Sequence, residues 1–287
     1  MLIGYDSLAG YLEDSYYMGA TIGRFANRIA DASFTIDRKT FHLEANDGNN
    51  TNHGGFSGFH NKVWQWEELP DGIRFSLYSP DGEGGFPGNI RVITDYRFNE
   101  DNELSVRHYA ETDCATYINM TNHAYFNLCG KGKKITEHRL HIPADRILDT
   151  TPAFIPTGKR MNVKNTPFDF TSLKPIGTDL YADHEQLLWN KGYNHCYILK
   201  DEISVEMLEA ASLYEPVTGR KMTVMTDLPA VLLYTAGYYE RPDTAVCLET
   251  QFYPDTPSHS DFPSCLVLPE KAYEHSTLFH FQVQKEE

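Results

Sequence analysis

The feature that most limits how this chain can fold is a succession of short segments in which apolar and polar residues alternate. Such alternation is typical of strands that bury one face. Four of these segments follow one another closely, at residues 63–67, 73–78, 90–98 and 103–109. Clusters of Gly, Pro, Asn and Asp separate them, which predicts strands joined by turns in an antiparallel meander.

The rest of the chain continues this pattern. Further strands are predicted at residues 116–128, 221–226, 230–235, 245–251 and 276–283. Residues 183–189 are compatible with a short helix, but no segment has a sustained helical period. We find no linker and no internal repeat. We therefore expect one all-β domain over residues 1–287, built as a large antiparallel β-sandwich.

Net charge limits the classes of partner. The chain carries 40 Asp and Glu residues against 25 Lys and Arg, a formal net charge of −15. Because nucleic-acid binding needs clustered Lys and Arg, we expect no nucleic-acid partner. The charge is compatible with a neutral or cationic ligand and does not choose between them.

We also expect a cytoplasmic protein with no membrane partner. No window approaches the roughly 18 consecutive apolar residues of a membrane span. The N-terminus lacks the basic region and apolar run of a signal peptide. The five cysteines are scattered and include no Cys-x-x-Cys pair, which is typical of reduced thiols in the cytosol.

A candidate acid and a candidate base lie in two of the predicted strands. His123 lies in the 116–128 segment, and histidine exchanges protons near neutral pH. Glu249 has apolar neighbours, and burial there would raise the pKa of its carboxyl group. A reaction that delivers one proton and removes another would use such a pair. A single histidine in a strand is nevertheless more often a surface or core residue, and a solvent-facing Glu249 would have the same pattern.

Two more candidates come from polar sequence near the N-terminus. Residues 46–59 form a long Gly-rich loop, and loops of that length inside compact domains are usually functional. The two glycines after His53 either leave room for a ligand or serve a turn with positive φ. Arg28 either donates a fork of hydrogen bonds to ligand hydroxyls or forms a salt bridge.

Other chemistries have little support in the sequence. We expect no metal, because there is no His-Glu-x-x-His motif and nothing completes a ligand set around His138 and His141. The Gly-rich run at 130–134 lacks the spacing of a phosphate-binding loop. No Gly-x-Ser-x-Gly elbow supports Ser-His-Asp catalysis.

Five motifs, taken together and in order, resemble those of the aldose 1-epimerases, also called galactose mutarotases. They read Gly-Arg-Phe-Ala-Asn-Arg-Ile at 23–29, Asn-His-Gly-Gly-Phe-Ser-Gly-Phe at 52–59, Ser-Pro-Asp-Gly-Glu-Gly-Gly-Phe-Pro-Gly at 79–88, Thr-Asn-His-Ala-Tyr-Phe-Asn-Leu at 121–128 and Leu-Glu-Thr-Gln-Phe-Tyr-Pro-Asp at 248–255. The motifs are spread over nearly the whole chain, which makes the resemblance specific.

The resemblance implies a β-sandwich of the galactose-mutarotase type that interconverts the α and β anomers of a free aldose without a cofactor. By motif, His123 looks like the general acid that protonates the ring oxygen, and Glu249 like the base that takes the proton from the anomeric hydroxyl. The ring then opens, the C1–C2 bond rotates, and closure from the other carbonyl face gives the other anomer. Asn27, Arg28 and His53 match positions that hold sugar hydroxyls in the family.

Three departures from the family pattern bear on fold and specificity. The family usually begins with further strand sequence ahead of residues 4–8, so we expect the sandwich to lack its first N-terminal strands. The substrate-contacting Asp of the family's Gly-x-Asp-His motif is Asn194 here, and a commonly polar position is Leu232. The family's Tyr-Thr-Gly-Asn becomes Tyr-Thr-Ala-Gly at 234–237. Our hypothesis is that the chemistry is kept while the preferred sugar differs from galactose.

Two alternative functions remain open at this stage. A hexose-6-phosphate mutarotase would need a basic pocket for the phosphate, which the net charge does not encourage. A non-catalytic carbohydrate-binding homologue would keep the cleft and lose turnover, although His123 and Glu249 argue against that loss. We expect a monosaccharide as the ligand and a monomer or homodimer as the assembly.

Overall fold

The computed structural model describes residues 1–284. In that range the α-helices are α1 (Leu8–Leu12) and α2 (Glu185–Asn190). The strands are β1 (Leu2–Ile3), β2 (Thr21–Ile22), β3 (Arg28–Ile29), β4 (Ser33–Ile36), β5 (Lys39–His42), β6 (Thr51–Asn52), β7 (Gln65–Leu69), β8 (Gly72–Ser79), β9 (Ile90–Phe98), β10 (Glu103–Thr112), β11 (Thr116–Tyr117), β12 (Thr121–Asn122), β13 (Tyr125–Phe126), β14 (Arg139–His141), β15 (Arg146–Thr150), β16 (Pro156–Asn162), β17 (Lys174–Pro175), β18 (Asn194–Ile198), β19 (Leu208–Glu215), β20 (Arg220–Thr226), β21 (Ala230–Tyr234), β22 (Cys247–Gln251), β23 (Leu266–Val267) and β24 (Tyr273–Val283).

The larger of the two main sheets contains nine antiparallel strands. Their order is β17-β14-β19-β20-β24-β10-β9-β8-β7. The predicted meander forms one end of this sheet, where β7 to β10 are neighbours in sequence order. The all-β prediction is confirmed, and the predicted helix at 183–189 corresponds to α2. None of the helices in residues 1–284 is long and apolar enough to cross a membrane.

The second main sheet has five strands and packs on the first. Its order is β16-β15-β18-β21-β22. Val224 of the larger sheet and Leu233 and Leu248 of the smaller one belong to one buried cluster, which is the core of the sandwich. Successive side chains of a strand point to opposite faces. Glu249 and Leu232, which lie directly opposite each other in the β21–β22 register, therefore point away from that core.

The prediction of one continuous strand at residues 116–128 is wrong. The segment is divided into β11, β12 and β13, which pair with β23, β2 and β1 respectively. The chain steps from one partner to the next, so its β-branched and aromatic residues are buried without a continuous ladder. His123 lies in the gap between β12 and β13. Its backbone N–H donates to the Ala20 carbonyl at 2.9 Å, and its carbonyl accepts from the Gly19 N–H at 3.0 Å.

Candidate active site

One polar cavity, the inner cavity, lies on the face of the five-stranded sheet that points away from the core. Its volume is about 180 Å³. Drug-sized ligands occupy pockets of about 300–1,000 Å³, so this cavity suits a smaller molecule. The structure brings all six predicted site residues together in its lining: Asn27, Arg28, His53, His123, Asn194 and Glu249.

The candidate acid and base face each other in this cavity. Nε2 of His123 lies 3.6 Å from Oε1 of Glu249. The His123 side chain is 5% exposed and the Glu249 side chain 1%. The two residues are far apart in the chain, and they meet because β22 runs beside the gap between β12 and β13. A small ligand in the cavity can therefore contact both groups at once.

Glu249 is a buried carboxyl group whose oxygens have no hydrogen-bond partner among residues 1–284. Neither Oε1 nor Oε2 accepts or donates a hydrogen bond within residues 1–284. Burial raises the pKa of Glu249 to about 8, and the positive charge of Arg28 only partly opposes this rise. Leaving such a group unpaired is costly, so both oxygens are available for a ligand.

His123 is enclosed by aromatic rings. It stacks on Tyr125 with ring centroids 5.1 Å apart and on Tyr17 at 5.8 Å. Burial lowers the pKa of His123 to about 4. At neutral pH the imidazole is then neutral and the carboxyl of Glu249 carries a proton. The pair thus holds one exchangeable proton between about pH 4 and pH 8, which is the requirement for acid–base exchange with a ligand.

His53 and Asn27, which line the same cavity, are joined by two hydrogen bonds. The backbone N–H of His53 donates to the Asn27 carbonyl at 3.0 Å. The Asn27 backbone N–H in turn donates to Nδ1 of His53 at 3.1 Å. Because Nδ1 accepts, neutral His53 carries its proton on Nε2 and can donate a hydrogen bond from that atom. Both residues have positive φ, 53° for His53 and 65° for Asn27.

The glycines after His53 serve the backbone. Gly54 has a φ of 84°, and a Cβ at this position would lie 2.2 Å from the Gly23 carbonyl oxygen. Gly54 does not line the inner cavity. Gly54 is therefore required by the backbone conformation and does not make room for a ligand in the inner cavity.

Arg28 forms a salt bridge, which was one of its two predicted roles. Its Nε donates to Oδ2 of Asp47 at 2.6 Å. Its guanidinium carbon lies 4.8 Å from the centre of the Phe154 ring. These contacts fix the plane of the guanidinium and use Nε, which leaves the two terminal nitrogens available to a ligand in the cavity.

Asn194 and Leu232 form the side of the cavity on β18 and β21. Asn194 lies opposite Tyr234 in the strand register, and Leu232 lies opposite Glu249. Leu232 is 5% exposed and places an aliphatic surface beside the carboxyl group. This apolar neighbour contributes to the burial that raises the pKa of Glu249.

Three of these residues also meet the geometric requirement for a metal site, which no sequence motif predicted. One ligand atom each from His53, His123 and Glu249 lies within 4.8 Å of the others. The hydrogen bond that the Asn27 backbone N–H donates to Nδ1 of His53 opposes metal binding, because it places the His53 proton on Nε2. A metal bound at Nε2 would require that hydrogen bond to be given up.

Comparison with known proteins places this constellation in a family. A sequence model of the aldose 1-epimerases matches residues 1–280. The chain belongs to the aldose 1-epimerase family. This family consists of isomerases, and its fold accounts for the paired sheets described above.

Full-length relatives and solved structures agree with the family match. A galactose mutarotase of Bos taurus is 37% identical over 99% of this chain and 84% of its own length. An aldose 1-epimerase of Escherichia coli K12 is 34% identical over 98% of this chain and 84% of its own length. The structure of an aldose epimerase homologue from C. elegans superposes with a TM-score of 0.88 and 26% identity, over 98% of this chain and 87% of the other.

The inner cavity is also lined by residues that were not among the six predicted site residues. They are Ser15, Tyr16, Tyr17, Asn52, Tyr125, Tyr234 and Tyr238. Tyr125 follows His123 by two residues and Asn52 precedes His53, so adjacency to a predicted residue was a usable signal for both. Tyr17 has no such signal. It has a φ of 59°, and only the folded chain brings its ring against His53 and His123.

Proposed function

We propose that this protein is a mutarotase that interconverts the α and β anomers of a free aldose, with His123 and Glu249 as its proton-transferring pair. The observation that carries the proposal is the 3.6 Å approach of the two side chains inside one buried cavity. The ring oxygen and the anomeric hydroxyl are bonded to the same carbon. An acid and a base that serve them must therefore lie within a few ångströms of each other, as this pair does.

In the proposed mechanism His123 protonates the ring oxygen while Glu249 removes the proton of the anomeric hydroxyl. The ring opens to the aldehyde, the C1–C2 bond rotates, and closure with the roles reversed gives the other anomer. Burial alone favours the shared proton on Glu249. Sugar hydroxyls that donate to the carboxylate, together with the charge of Arg28, favour the state with the proton on His123.

The remaining predicted residues are proposed to hold the sugar. Asn27, Arg28, His53 and Asn194 offer amide, guanidinium and imidazole groups to its hydroxyls. We further propose that Asn194 and Leu232 give a preference for an aldose other than galactose. Mutarotation rates for galactose, glucose, xylose and arabinose test this preference, and a clear preference for galactose would reject it.

A phosphorylated sugar is a poorer candidate for this cavity. Arg28 is the one Lys or Arg in the lining of the inner cavity, and it is already paired with Asp47. A phosphate carries more charge than this single paired cation balances. We propose that the chain acts as one domain, in the cytoplasm, as a monomer or homodimer. Its five free cysteines agree with a reducing compartment.

Polarimetry tests the proposed function directly. Freshly dissolved α-glucose or α-galactose is followed with the wild type and with the His123→Ala and Glu249→Ala variants. Each substitution should slow mutarotation by roughly 10²–10⁴-fold, the usual contribution of one positioned acid or base. His141→Ala is the control, because this half-exposed histidine pairs with Glu209 outside the cavity. Wild-type protein that binds sugar without accelerating mutarotation would instead favour a non-catalytic carbohydrate-binding protein.

A further inference from the structure

One strand of the smaller sheet contacts both ring nitrogens of His123. Glu249 of β22 lies 3.6 Å from Nε2. Cys247 of the same strand contacts the other ring nitrogen, with its Sγ 3.7 Å from Nδ1. Alternate residues of a strand point to the same face, so the two side chains of β22 reach the imidazole together. Nε2 is thus open to a ligand in the inner cavity, whereas Nδ1 faces a thiol that does not line the cavity.

The contact between Cys247 and His123 is fixed by its surroundings. Cys247 is 0% exposed and His123 is 4% exposed. No other side chain of residues 1–284 forms a hydrogen bond with Nδ1 of His123. The stacked rings of Tyr17 and Tyr125 restrict rotation of the imidazole, so Nδ1 stays directed at the sulfur.

Cys247 remains a neutral thiol at the pH of turnover. Burial, and secondarily the charge of Glu249, raises the pKa of Cys247 well above its ordinary value of 9.0. Because the thiolate is the nucleophilic form, this residue does not attack the sugar, nor does it release a proton near neutral pH. A thiol can still offer a weak S–H donor or a weak sulfur acceptor to Nδ1. Two directions of the hydrogen bond are therefore chemically possible.

The proton transfers of the proposed function favour one direction. Nε2 of His123 gives a proton to the ring oxygen and takes it back when the ring closes. Between these steps Nε2 has a free lone pair, so the neutral imidazole carries its proton on Nδ1. Burial lowers the pKa of His123, and a hydrogen bond between the ring and the residue's own backbone opposes this fall, which is the effect of a ring N–H that donates. Nδ1 is therefore the donor and Sγ of Cys247 the acceptor.

We propose that Cys247 is a positioning residue for the proton transfer: its sulfur accepts the Nδ1–H of His123 and so reserves Nε2 for exchange with the sugar. The acceptor is weak and uncharged. A carboxylate in its place would stabilise the imidazolium and make it a poorer acid. Sulfur fixes the tautomer and the orientation of the ring while His123 still releases its proton readily. The proposal rests on the proposed function, because it assigns to Nε2 the proton exchange of anomer interconversion.

Kinetics of two variants at this position test the proposal. Cys247→Ala removes the acceptor, whereas Cys247→Ser replaces it with a hydroxyl oxygen. We expect Cys247→Ala to lower kcat for mutarotation of glucose or galactose by about tenfold, as for loss of one hydrogen bond, with KM unchanged because Cys247 does not line the inner cavity. Cys247→Ser should recover most of the lost rate. Cys265→Ala is the matched control, since it removes another buried thiol from a separate core cluster.

The tautomer of His123 provides a readout that a packing defect would not change. Nitrogen-15 NMR of histidine-labelled protein near pH 7 shows which ring nitrogen carries the proton, and the His123→Gln variant identifies the signals of His123. The imidazole is neutral at this pH, because its pKa is about 4. The wild type and Cys247→Ser should carry the proton on Nδ1. In Cys247→Ala part of the population should carry it on Nε2.

The positioning role is overturned by a wild-type His123 that carries its proton on Nε2. It is also overturned by a Cys247→Ala variant whose kcat or tautomer equals that of the wild type, and by equal losses of kcat in Cys247→Ala and Cys265→Ala. Each of these results leaves the proposed function intact, provided that the wild type accelerates mutarotation. Failure of the proposed function is recognised separately, by a wild type that accelerates no aldose, and the role of Cys247 then falls with it.

Discussion

Two glutamates of this chain are similarly hidden from solvent but have opposite surroundings. Glu215, at the end of β19, is 2% exposed, and Glu249, in β22, is 1% exposed. The carboxylate of Glu215 accepts the backbone N–H groups of Val217 and Thr218 and the Thr218 hydroxyl. Neither oxygen of Glu249 has a protein partner within residues 1–284.

The pKa values of the two groups follow these surroundings. Burial raises the pKa of both carboxyl groups. In Glu215 the three hydrogen bonds outweigh burial and lower the pKa below its ordinary value of 4.5. In Glu249 nothing comparable opposes burial, and the pKa rises to about 8. Low solvent exposure alone therefore does not separate a structural carboxylate from a functional one; the depth of burial and the number of hydrogen-bond donors together do.

The largest expected difference between the two glutamates is in activity. Glu249→Gln keeps the side-chain size and removes its ability to take a proton, so mutarotation should slow by roughly 10²–10⁴-fold. Glu215→Gln should keep the wild-type rate, because this residue lies outside the cavity. Polarimetry under conditions where both variants are folded measures the difference. Equal mutarotation rates for the two variants would contradict a catalytic role for Glu249.

The pH dependence of turnover sharpens the comparison further. Below about pH 4 both His123 and Glu249 carry protons and no base remains, while above about pH 8 both have lost them and no acid remains. We therefore expect kcat/KM to follow a bell-shaped profile with limbs near these values and about a tenfold fall per pH unit beyond them. Glu215→Gln should retain both limbs. A kcat/KM that did not change from pH 3 to pH 9 would show that His123 and Glu249 do not share one proton in the mechanism.

The two glutamates should also affect stability, with opposite signs. Glu249 holds its proton more tightly in the folded chain than its ordinary pKa of 4.5 allows in the unfolded one. Its favourable contribution is present below pH 4.5 and is lost as the pH rises through about 8, by up to about 1.4 kcal/mol per pH unit. The unfolding free energy of Glu249→Gln should therefore exceed that of the wild type increasingly over this range.

Glu215 should behave in the reverse way. Because its pKa is lowered on folding, it stabilises the fold above pH 4.5, and this stabilisation is lost as the pH falls. Glu215→Gln should cost about 1–3 kcal/mol near pH 7, since it weakens three hydrogen bonds, and less in acid. Urea denaturation at several pH values measures both differences. If the unfolding free energies of the two variants changed with pH in the same direction relative to the wild type, the opposite pKa shifts of Glu215 and Glu249 would be contradicted.

Much of the fold could be predicted from local pattern. β9 begins and ends where the alternation predicts, at Ile90–Phe98, because that strand buries one face along most of its length. The segment around His123 was predicted less well. Its residues are typical of strands, but its hydrogen-bond partners change every few residues and come from near the N-terminus and from β23. A sequence window contains no information about such a change of partner.

The candidate site could be predicted only in part, for the same reason. Motifs identified the six residues that meet in the inner cavity, but not Tyr17, whose position depends on a backbone conformation with positive φ.

The sequence by itself determined most of the strands and pointed to the proposed proton-transferring groups, because alternation and residue chemistry are local properties. It also contains the partners of Glu215, which lie two and three residues further along the chain. Only the tertiary structure decided that Glu249 is buried opposite Leu232 without a donor and faces His123. The pKa of a buried carboxyl depends on every group within a few ångströms, and those groups come from distant parts of the chain.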